Sequence, residues 1–293
     1  MPQLTWLVTG TSSGLGEQLV HSILACGDRV IATARRADER LGHLEKAGAA
    51  IMELDVTAPP SKLQVIIEQA VLARGGIDVL VNNAGYIEAS MVEELDKDRL
   101  RRAFETNLFG PLNLTRLLLP HFREKRKGVI LFMSSIGAYM GAPGAGAYSA
   151  TKGALERDTL MPSTLLGMVD CLREEVSPFG IQCCLVTPGF YRTNIFTPTN
   201  MKTGPQLIAD YDKLNTEYQA GFADLNMGDP RKATDRIVDM VRSERKAAGR
   251  AIPARFPLGA DAVTIIRDDC TKKLSLCDEW EDFTSDTRFD AEK

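Results

Sequence analysis

Short apolar runs alternate with longer amphipathic stretches along most of the chain. The apolar runs are rich in Val, Ile and Leu, as strands buried on both faces of a sheet usually are. The stretches between them are long enough for helices that connect parallel strands. The pattern predicts a single-domain α/β protein over residues 1–293, with a doubly wound parallel sheet and helices on both faces. The predicted strands are LTWLVTG (4–10), RVIATA (29–34), AIMELDV (50–56), IDVLVNN (77–83), GVILFMS (128–134) and IQCCLVT (181–187).

Charge and composition narrow the kinds of partner. The formal net charge is -4, and acidic and basic residues are interleaved, so no basic face indicates a nucleic acid or an anionic membrane. No apolar run approaches the ~20 residues of a membrane-spanning helix, and the first apolar segment has no charged leader. Six cysteines without CxxC pairing and three scattered histidines do not suggest a metal site. We expect a cytoplasmic protein that acts on a small molecule.

A glycine-rich turn follows the first predicted strand. The sequence TGTSSGLG places Gly10, Gly14 and Gly16 immediately before the helical run EQLVHSILA. Glycines at these positions permit a tight turn and let backbone N–H groups approach a pyrophosphate at the positive end of a helix. The spacing G-x3-G-x-G departs from the common G-x-G-x-x-G fingerprint. The turn favours a dinucleotide site in a Rossmann-like sheet, although the same glycines also occur in ordinary turns.

Four motifs together resemble the short-chain dehydrogenase/reductase family from about Thr5 to Thr193. They are the glycine spacing, NNAG at 82–85, the Tyr148-x-x-x-Lys152 pair and PG at 188–189. The resemblance implies a nicotinamide cofactor and a carbonyl or alcohol substrate, in a homodimer or homotetramer. By resemblance the cofactor-binding residues are Gly10, Thr11, Ser13, Gly14, Leu15, Gly16, Asp55, Val56, Asn83, Ala84, Gly85, Tyr148, Lys152, Pro188, Gly189 and Thr193.

The end of the second predicted strand bears on the type of nicotinamide cofactor. An acidic residue there would hydrogen-bond the ribose 2′-hydroxyl of NAD, whereas arginine suits the 2′-phosphate of NADP. The chain reads VIATARR, with Arg35 and Arg36 and no acid before Asp38. Guanidinium groups bind phosphate through planar, charge-assisted hydrogen bonds. We therefore expect NADP(H), the alternative being that both arginines are solvated surface residues.

The same resemblance implies four catalytic residues. Tyr148 would exchange the substrate proton, and Lys152, one helical turn away, would lower the pKa of its phenol and hold the nicotinamide ribose. Ser135, thirteen residues before Tyr148, would hold the substrate oxygen. Asn107 would position Lys152 through water. The intact set favours an oxidoreductase over a catalytically silent NADP-binding sensor or partner-binding protein. A sugar-nucleotide epimerase or dehydratase is a further alternative, but by resemblance that branch usually has a different glycine spacing and a larger C-terminal domain.

The last third of the chain is expected to serve the substrate. Residues 190–228 resemble the variable substrate loop of the family, and 229–293 are expected to form a C-terminal helical extension. Within the loop, apolar residues from Leu207 to Phe222 recur at three- and four-residue intervals, which predicts one helical stripe. A helix is predicted at 232–246, a strand at 252–256 and an acidic tail from Asp278. The composition of the loop favours a fairly apolar substrate, with Arg192 as a candidate partner for a carboxylate.

Residues 157–166 interrupt the helix that carries Tyr148 and Lys152. Joining Glu156 directly to Gly167 would give an uninterrupted amphipathic helix, in which Leu155, Met168, Val169, Leu172 and Val176 share one face. The segment RDTLMPSTLL contains Pro162, which a helix interior does not tolerate. We expect an insertion that is looped out or arises from an alternative splice boundary, or else a tolerated surface loop. An insertion at this helix would weaken self-association, because in the family it commonly packs against its symmetry mate.

Overall fold

The computed structural model describes residues 2–156, 167–221, 227–287 and 289. Its main sheet is parallel throughout and has the strand order β3-β2-β1-β4-β6-β7-β9. Two further strands, β5 and β8, form a separate parallel pair. The strands are β1 Thr5–Thr9, β2 Arg29–Ala34, β3 Ala50–Glu53, β4 Val79–Asn82, β5 Ile87–Ala89, β6 Gly128–Met133, β7 Ile181–Pro188, β8 Met201–Thr203 and β9 Arg255–Leu258. The predicted doubly wound sheet is confirmed.

Helices cover both faces of this sheet, as the doubly buried strands require. A π-helical turn, Glu105–Phe109, joins two of them. The helices are α1 Gly14–Ala25, α2 Ala37–Arg40, α3 Gly42–Lys46, α4 Pro60–Ala73, α5 Lys97–Phe104, α6 Gly110–Lys125, α7 Gly146–Gly153, α8 Met168–Val176, α9 Asp212–Ala220, α10 Pro230–Arg242 and α11 Ala260–Thr284.

Two hydrophobic cores form, one on each face. Along β1, Trp6 and Val8 point into the core shared with α1 and α10, whereas Leu7 points into the core shared with α4 and α6. All three side chains are fully buried. Alternate residues of a strand face opposite sides of the sheet. Three consecutive apolar residues are therefore expected at the centre of a strand whose sheet is covered on both faces. The cores hold the strand ends in place, and the loops that follow those ends can then carry chemistry.

The C-terminal third differs from the sequence prediction in several boundaries. The predicted last strand lies a few residues later, at Arg255–Leu258, where it pairs with β7 as the seventh strand of the main sheet. The predicted helix at 232–246 is α10, which ends before Ser243 in the left-handed conformation (φ 51°). The acidic segment from Asp278 is a continuation of α11 up to Thr284 and not a tail. The tail was predicted from charge alone, and charge does not exclude a solvated helix.

The predicted apolar stripe of the substrate loop is only partly helical. Leu207 precedes the helix and is 73% exposed, and α9 covers Asp212–Ala220. Phe222, the last member of the stripe, lies outside the described residues. The spacing of apolar residues therefore predicted a helix that begins too early, at Leu207 and not at Asp212.

The segment 157–166 also lies outside the described residues, but both of its ends are described. α7 ends at Gly153, and α8 starts anew at Met168 after Gly167 in an extended conformation (ψ 159°). The two ends meet, since a Cβ added to Gly167 would overlap the carbonyl group of Glu156. Leu155, Val169 and Val176 share one core and Leu172 packs against it, as the joined helix predicts. Met168, at 49% exposure, is the member of the predicted face that does not.

Candidate active site

One cavity of about 940 Å³ runs along the carboxyl ends of the sheet strands. It lies where the strand order reverses between β1 and β4, which is the usual ligand site of open α/β sheets. Most residues predicted as catalytic or cofactor-binding line it. They are Gly10, Ser13, Gly14, Leu15, Gly16, Arg35, Asp55, Val56, Asn83, Ala84, Gly85, Ser135, Tyr148, Lys152, Pro188, Gly189 and Thr193. Thr11, Arg36 and Asn107 are not among the lining residues.

The end of the cavity next to α1, where the cofactor was predicted, is called the nucleotide end. Its surface is shaped by the backbone of the glycine turn, Gly10 to Gly16. Gly10 and Gly14 adopt left-handed conformations (φ 69° and 66°), which favour glycine. A Cβ on Gly16 would overlap the side-chain amide of Asn83 and the carbonyl of Gly10. The Ser13 side chain forms no capping bond with α1. The first turn of α1 therefore lines the cavity, and the start of a helix without a side-chain cap fits a phosphate group.

Two threonines support this turn from beneath. Thr11 is fully buried, and its backbone N–H and hydroxyl both donate to the carbonyl of Thr33 on β2, at 3.0 and 3.2 Å. The Thr9 hydroxyl oxygen accepts from the N–H groups of Asn83 and Ala84, at 3.0 Å each. Thr11 thus braces the loop after β1 without reaching the cavity, which explains why it is absent from the lining.

The loop after β2 separates the two predicted arginines. Arg35 lines the cavity. Arg36 takes a left-handed conformation and turns to solvent, where it pairs with Glu39 at 3.2 Å. Arg40, at the end of α2, also lines the cavity. The sequence analysis missed Arg40, because nothing in its spacing from Arg35 or Arg36 indicates which side chain faces the cavity.

Ser135, Tyr148 and Lys152 converge in the middle of the cavity. Ser135 follows β6, and its oxygen accepts from the N–H of Gly137 at 3.0 Å. Tyr148 and Ser135 flank the same point, because a Cβ added to Gly137 would lie 3.2 Å from the Tyr148 ring and 3.4 Å from Ser135 Oγ. On α7, the Lys152 Nζ lies 5.7 Å from the centroid of the Tyr148 ring and donates to the carbonyl of Met133 at 2.7 Å. A strand end and one helix turn therefore place a hydroxyl, a phenol and an ammonium group side by side.

Burial is the largest influence on the pKa values of Tyr148 and Lys152. It raises the pKa of Tyr148 above its ordinary value, and the hydrogen bond with Ser135 opposes that rise. Burial also lowers the pKa of Lys152 to about 8, while the negative charge of Glu156 opposes this fall. The sequence argument expected Lys152 to lower the pKa of the phenol, but in the structure desolvation is the larger effect. At neutral pH the phenol is protonated and the amine is mostly charged.

Asn107 lies behind the cavity wall, in the π-helical turn, and is 1% exposed. Its side chain exchanges two hydrogen bonds with the backbone of Tyr86, at 3.0 and 3.1 Å, and donates to the Thr151 hydroxyl at 3.1 Å. A Cβ on Gly85 would lie 3.1 Å from Asn107 Oδ1 and 3.7 Å from Lys152 Nζ. Asn107 therefore ties the loop after β4 to α7, next to the lysine, without a direct bond to it.

The other end of the cavity is mainly apolar and is contributed by loops. Arg192, suggested as a partner for a carboxylate, is exposed and is not among the lining residues. The sequence analysis missed a buried ion pair, Glu88 with Arg99, whose Nε donates to Glu88 Oε1 at 2.7 Å. Both residues line the cavity. The apolar and aromatic lining residues at this end are Ile87, Ile136, Met140, Phe190, Ile195, Phe196 and Tyr218.

Two further classes of site were searched for among the described residues. No group of three or more His, Cys, Asp and Glu side chains there is arranged to hold a metal ion. Within the same ranges no helix combines the length and apolar character that crossing a membrane requires.

Residues 5–204 match the family described as short chain dehydrogenase. The chain belongs to this family. It is thus an oxidoreductase of the class that acts on CH–OH groups. Relatives include a 3-ketodihydrosphingosine reductase of Bacteroides thetaiotaomicron, 35% identical over 75% of this chain and 73% of the relative. The uncharacterized oxidoreductase YusZ of Bacillus subtilis is 34% identical over 86% of this chain and 88% of its own. The structure of a short-chain dehydrogenase from Streptomyces avermitilis has a TM-score of 0.82 and 36% identity, over 98% of both chains.

Proposed function

We propose that this protein is an NADP(H)-dependent oxidoreductase that interconverts a ketone or aldehyde with an alcohol on a fairly apolar small molecule. The observation that carries the proposal is the convergence of Ser135, Tyr148 and Lys152 beside the backbone-lined nucleotide end of one cavity. A catalytically silent sensor would not require all three.

The nucleotide end supports a dinucleotide cofactor. The glycine turn leaves room for a pyrophosphate at the start of α1, where side chains would clash. Arg35 would hold the 2′-phosphate, with Arg40 as a second cation, and Asp55 and Val56 would flank the adenine. Pro188, Gly189 and Thr193 would contact the carboxamide. A bound nicotinamide cofactor would supply or accept the hydride.

The residues of the chain would handle the proton. In carbonyl reduction, the Ser135 hydroxyl would hold the substrate oxygen, and the Tyr148 phenol, protonated at neutral pH, would give that oxygen its proton. The Lys152 ammonium would stabilise the phenolate that remains. Asn107 would keep Lys152 in place through its bonds to the neighbouring backbone and to Thr151.

The opposite end of the cavity would select the substrate. In this proposal residues 1–293 form one domain, in which 190–228 serve as the substrate loop and 229–293 complete the fold. The lining from Ile136, Met140, Phe190 and Phe196 favours an apolar body next to the reacting carbonyl. One relative is named a 3-ketodihydrosphingosine reductase, which makes long-chain keto compounds a reasonable first class to test.

The proposal is tested by following NADPH oxidation with a panel of ketones and aldehydes. The panel should range from small polar carbonyls to long-chain and bulky apolar ones, 3-ketodihydrosphingosine included, with each substrate repeated with NADH. We expect turnover with apolar carbonyls and a clear preference for NADPH. Tight NADPH binding without turnover of any carbonyl or alcohol would favour the sensor instead. Equal rates with NADH would contradict the cofactor assignment alone.

A further inference from the structure

A cluster of alternating charges lies buried behind Lys152, away from the cavity. It contains Glu156, four residues after the lysine, Arg255 on β9 and Asp170 on α8. We propose that Arg255 is a positioning residue for Lys152: it bridges Glu156 and Asp170 across the junction at 156/167 and so holds the Glu156 side chain in place next to the lysine. The proposal rests on the proposed function, since it assigns a role in the same site.

The geometry of the cluster is that of a bridge between two chain segments. The Arg255 guanidinium donates to both carboxylate oxygens of Asp170, from Nη1 at 3.1 Å and from Nη2 at 2.5 Å. Its Nε lies 3.4 Å from Glu156 Oε2, which is an ion-pair contact without hydrogen-bond geometry. A planar guanidinium can face two carboxylates in this way, whereas a lysine cannot.

Glu156 is also held from its other sides. It is 7% exposed, and its two carboxylate oxygens accept from the Tyr139 hydroxyl at 2.8 Å and from the Thr187 hydroxyl at 2.9 Å. The carboxylate is thus bound by the loop after β6, by β7 and by β9. A buried carboxylate with two neutral donors stays ionised at lower cost when a cation is in contact with it.

The bridge connects the two described segments that meet at this junction. α7 is eight residues long, and the Glu156 N–H still bonds the carbonyl of Lys152 at 3.3 Å. In an uninterrupted helix the next turn would anchor that end by backbone hydrogen bonds. Here the described helix resumes at Met168, so the first turn of α8 is tied to the end of α7 through Asp170, Arg255 and Glu156.

The charges around the lysine set the direction of the effect. Burial lowers the pKa of Lys152 to about 8, and the Glu156 carboxylate opposes that fall. The other titratable or charged groups in this cluster are Tyr139, Asp170, Arg173, Cys184 and Arg255. Without Arg255, the buried carboxylates of Glu156 and Asp170 would lose the cation that holds them together, and the Glu156 side chain would no longer be fixed in the position from which its charge supports Lys152.

A second buried arginine provides a matched control. Arg242, on α10, donates to Asp28 at 2.6 Å and to both oxygens of Glu244, at 3.0 and 2.9 Å, and is 6% exposed. It therefore bridges two carboxylates as Arg255 does, but neither of those carboxylates belongs to the cluster around Glu156. Loss of either bridge should lower Tm, so Arg242→Met reports the purely structural consequence.

The experiment measures the titration of Lys152 by NMR in cofactor-free protein labelled at the lysine side chains, with the signal assigned through Lys152→Met. Arg255→Met and Glu156→Gln are each expected to lower its pKa by about one unit, and Arg242→Met to leave it unchanged. In Arg255→Lys, which keeps the positive charge, the pKa of Lys152 should fall by less than in Arg255→Met. With NADPH and a carbonyl substrate, the alkaline fall of kcat should move to lower pH in the same variants, while the Kd for NADPH stays the same.

Two results would overturn the inference. One is an unchanged Lys152 titration in Glu156→Gln, which changes the cluster conservatively and can be measured even if Arg255→Met does not fold. The other is an equal shift in Arg242→Met. Because the titration needs no turnover, wild-type protein that reduces no carbonyl would refute the proposed function and leave this test standing.

Discussion

Two neighbouring regions of the cavity are built differently: the nucleotide end beside α1, and the middle, where Ser135, Tyr148 and Lys152 lie. At the nucleotide end the surface is mainly backbone, shaped by Gly10, Gly14 and Gly16, where an added side chain would strain the turn or collide. In the middle of the cavity, Tyr148 and Lys152 project from α7 toward Ser135. In the proposed function, cofactor affinity would depend mainly on the glycine turn, and the chemical step on the Tyr148 hydroxyl. Each can therefore be changed while the other is kept.

Loss of the Tyr148 hydroxyl should break the chemistry alone. We expect Tyr148→Phe to lower kcat by a factor of at least ~100, because the proton donor is absent while the ring still packs. The Kd for NADPH, measured by fluorescence titration, should change less than about twofold. Tyr211→Phe is the control, since that hydroxyl bonds Glu93 outside the cavity. Retention of more than about a tenth of the wild-type rate would remove Tyr148 from the mechanism.

A side chain in the glycine turn should have the opposite effect. A Cβ at position 16 would overlap Asn83 and the Gly10 carbonyl, so Gly16→Ala must displace the turn, at a cost of about 1–3 kcal/mol. We expect NADPH affinity to fall by ~10- to 100-fold, with kcat at saturating NADPH much less affected. Gly42→Ala is the control, because a Cβ there meets no atom within 4 Å. If Gly16→Ala bound NADPH normally, the turn would not be the phosphate site.

The two arginines after β2 test whether the nucleotide end recognises the 2′-phosphate of NADPH. Arg35 lines the cavity, whereas Arg36 faces solvent beside Glu39. Arg35→Ala should weaken NADPH binding by about 1.5–3 kcal/mol, the range for hydrogen bonds to a charged group, and barely affect NADH. Arg36→Ala should change neither by more than about 0.5 kcal/mol. Equal losses for NADPH and NADH in Arg35→Ala would show that this arginine supports structure and does not bind the 2′-phosphate.

The sequence predicted the nucleotide end more fully than the substrate end, for a physical reason. Strands buried on both faces leave a strong apolar signal, and a turn that excludes side chains leaves glycines, so the strand ends and Gly10, Gly14 and Gly16 are recognisable in the letters alone. The face that Arg36 presents depends on a single left-handed residue. No periodicity encodes that conformation, and the sequence analysis therefore treated Arg35 and Arg36 as equivalent.

The sequence analysis also did not predict contacts between segments that are far apart along the chain. Glu156 follows α7, Asp170 lies on α8 and Arg255 lies on β9, so the three residues are far apart in the sequence. The sequence analysis also placed the strand that carries Arg255 a few residues early. The pKa of Tyr148 was judged from the spacing to Lys152, whereas the desolvation that dominates it depends on everything packed around the ring. Spacing along a helix is local information, but burial is not.

The pH dependence of the chemical step gives the smallest expected effect. The pKa of Lys152 is lowered to about 8, so its ammonium is mostly present at pH 7 and is lost as pH rises through that value. The pKa of Tyr148 is raised, so its phenol stays protonated over the same range. At saturating NADPH, kcat for carbonyl reduction should therefore fall about tenfold between pH 7 and pH 9, with the lysine as its cause. The Kd for NADPH should change less than kcat over this interval, because the glycine turn does not titrate. A rate that stays constant or rises up to pH 9 would show that the Lys152 charge does not support proton donation by Tyr148.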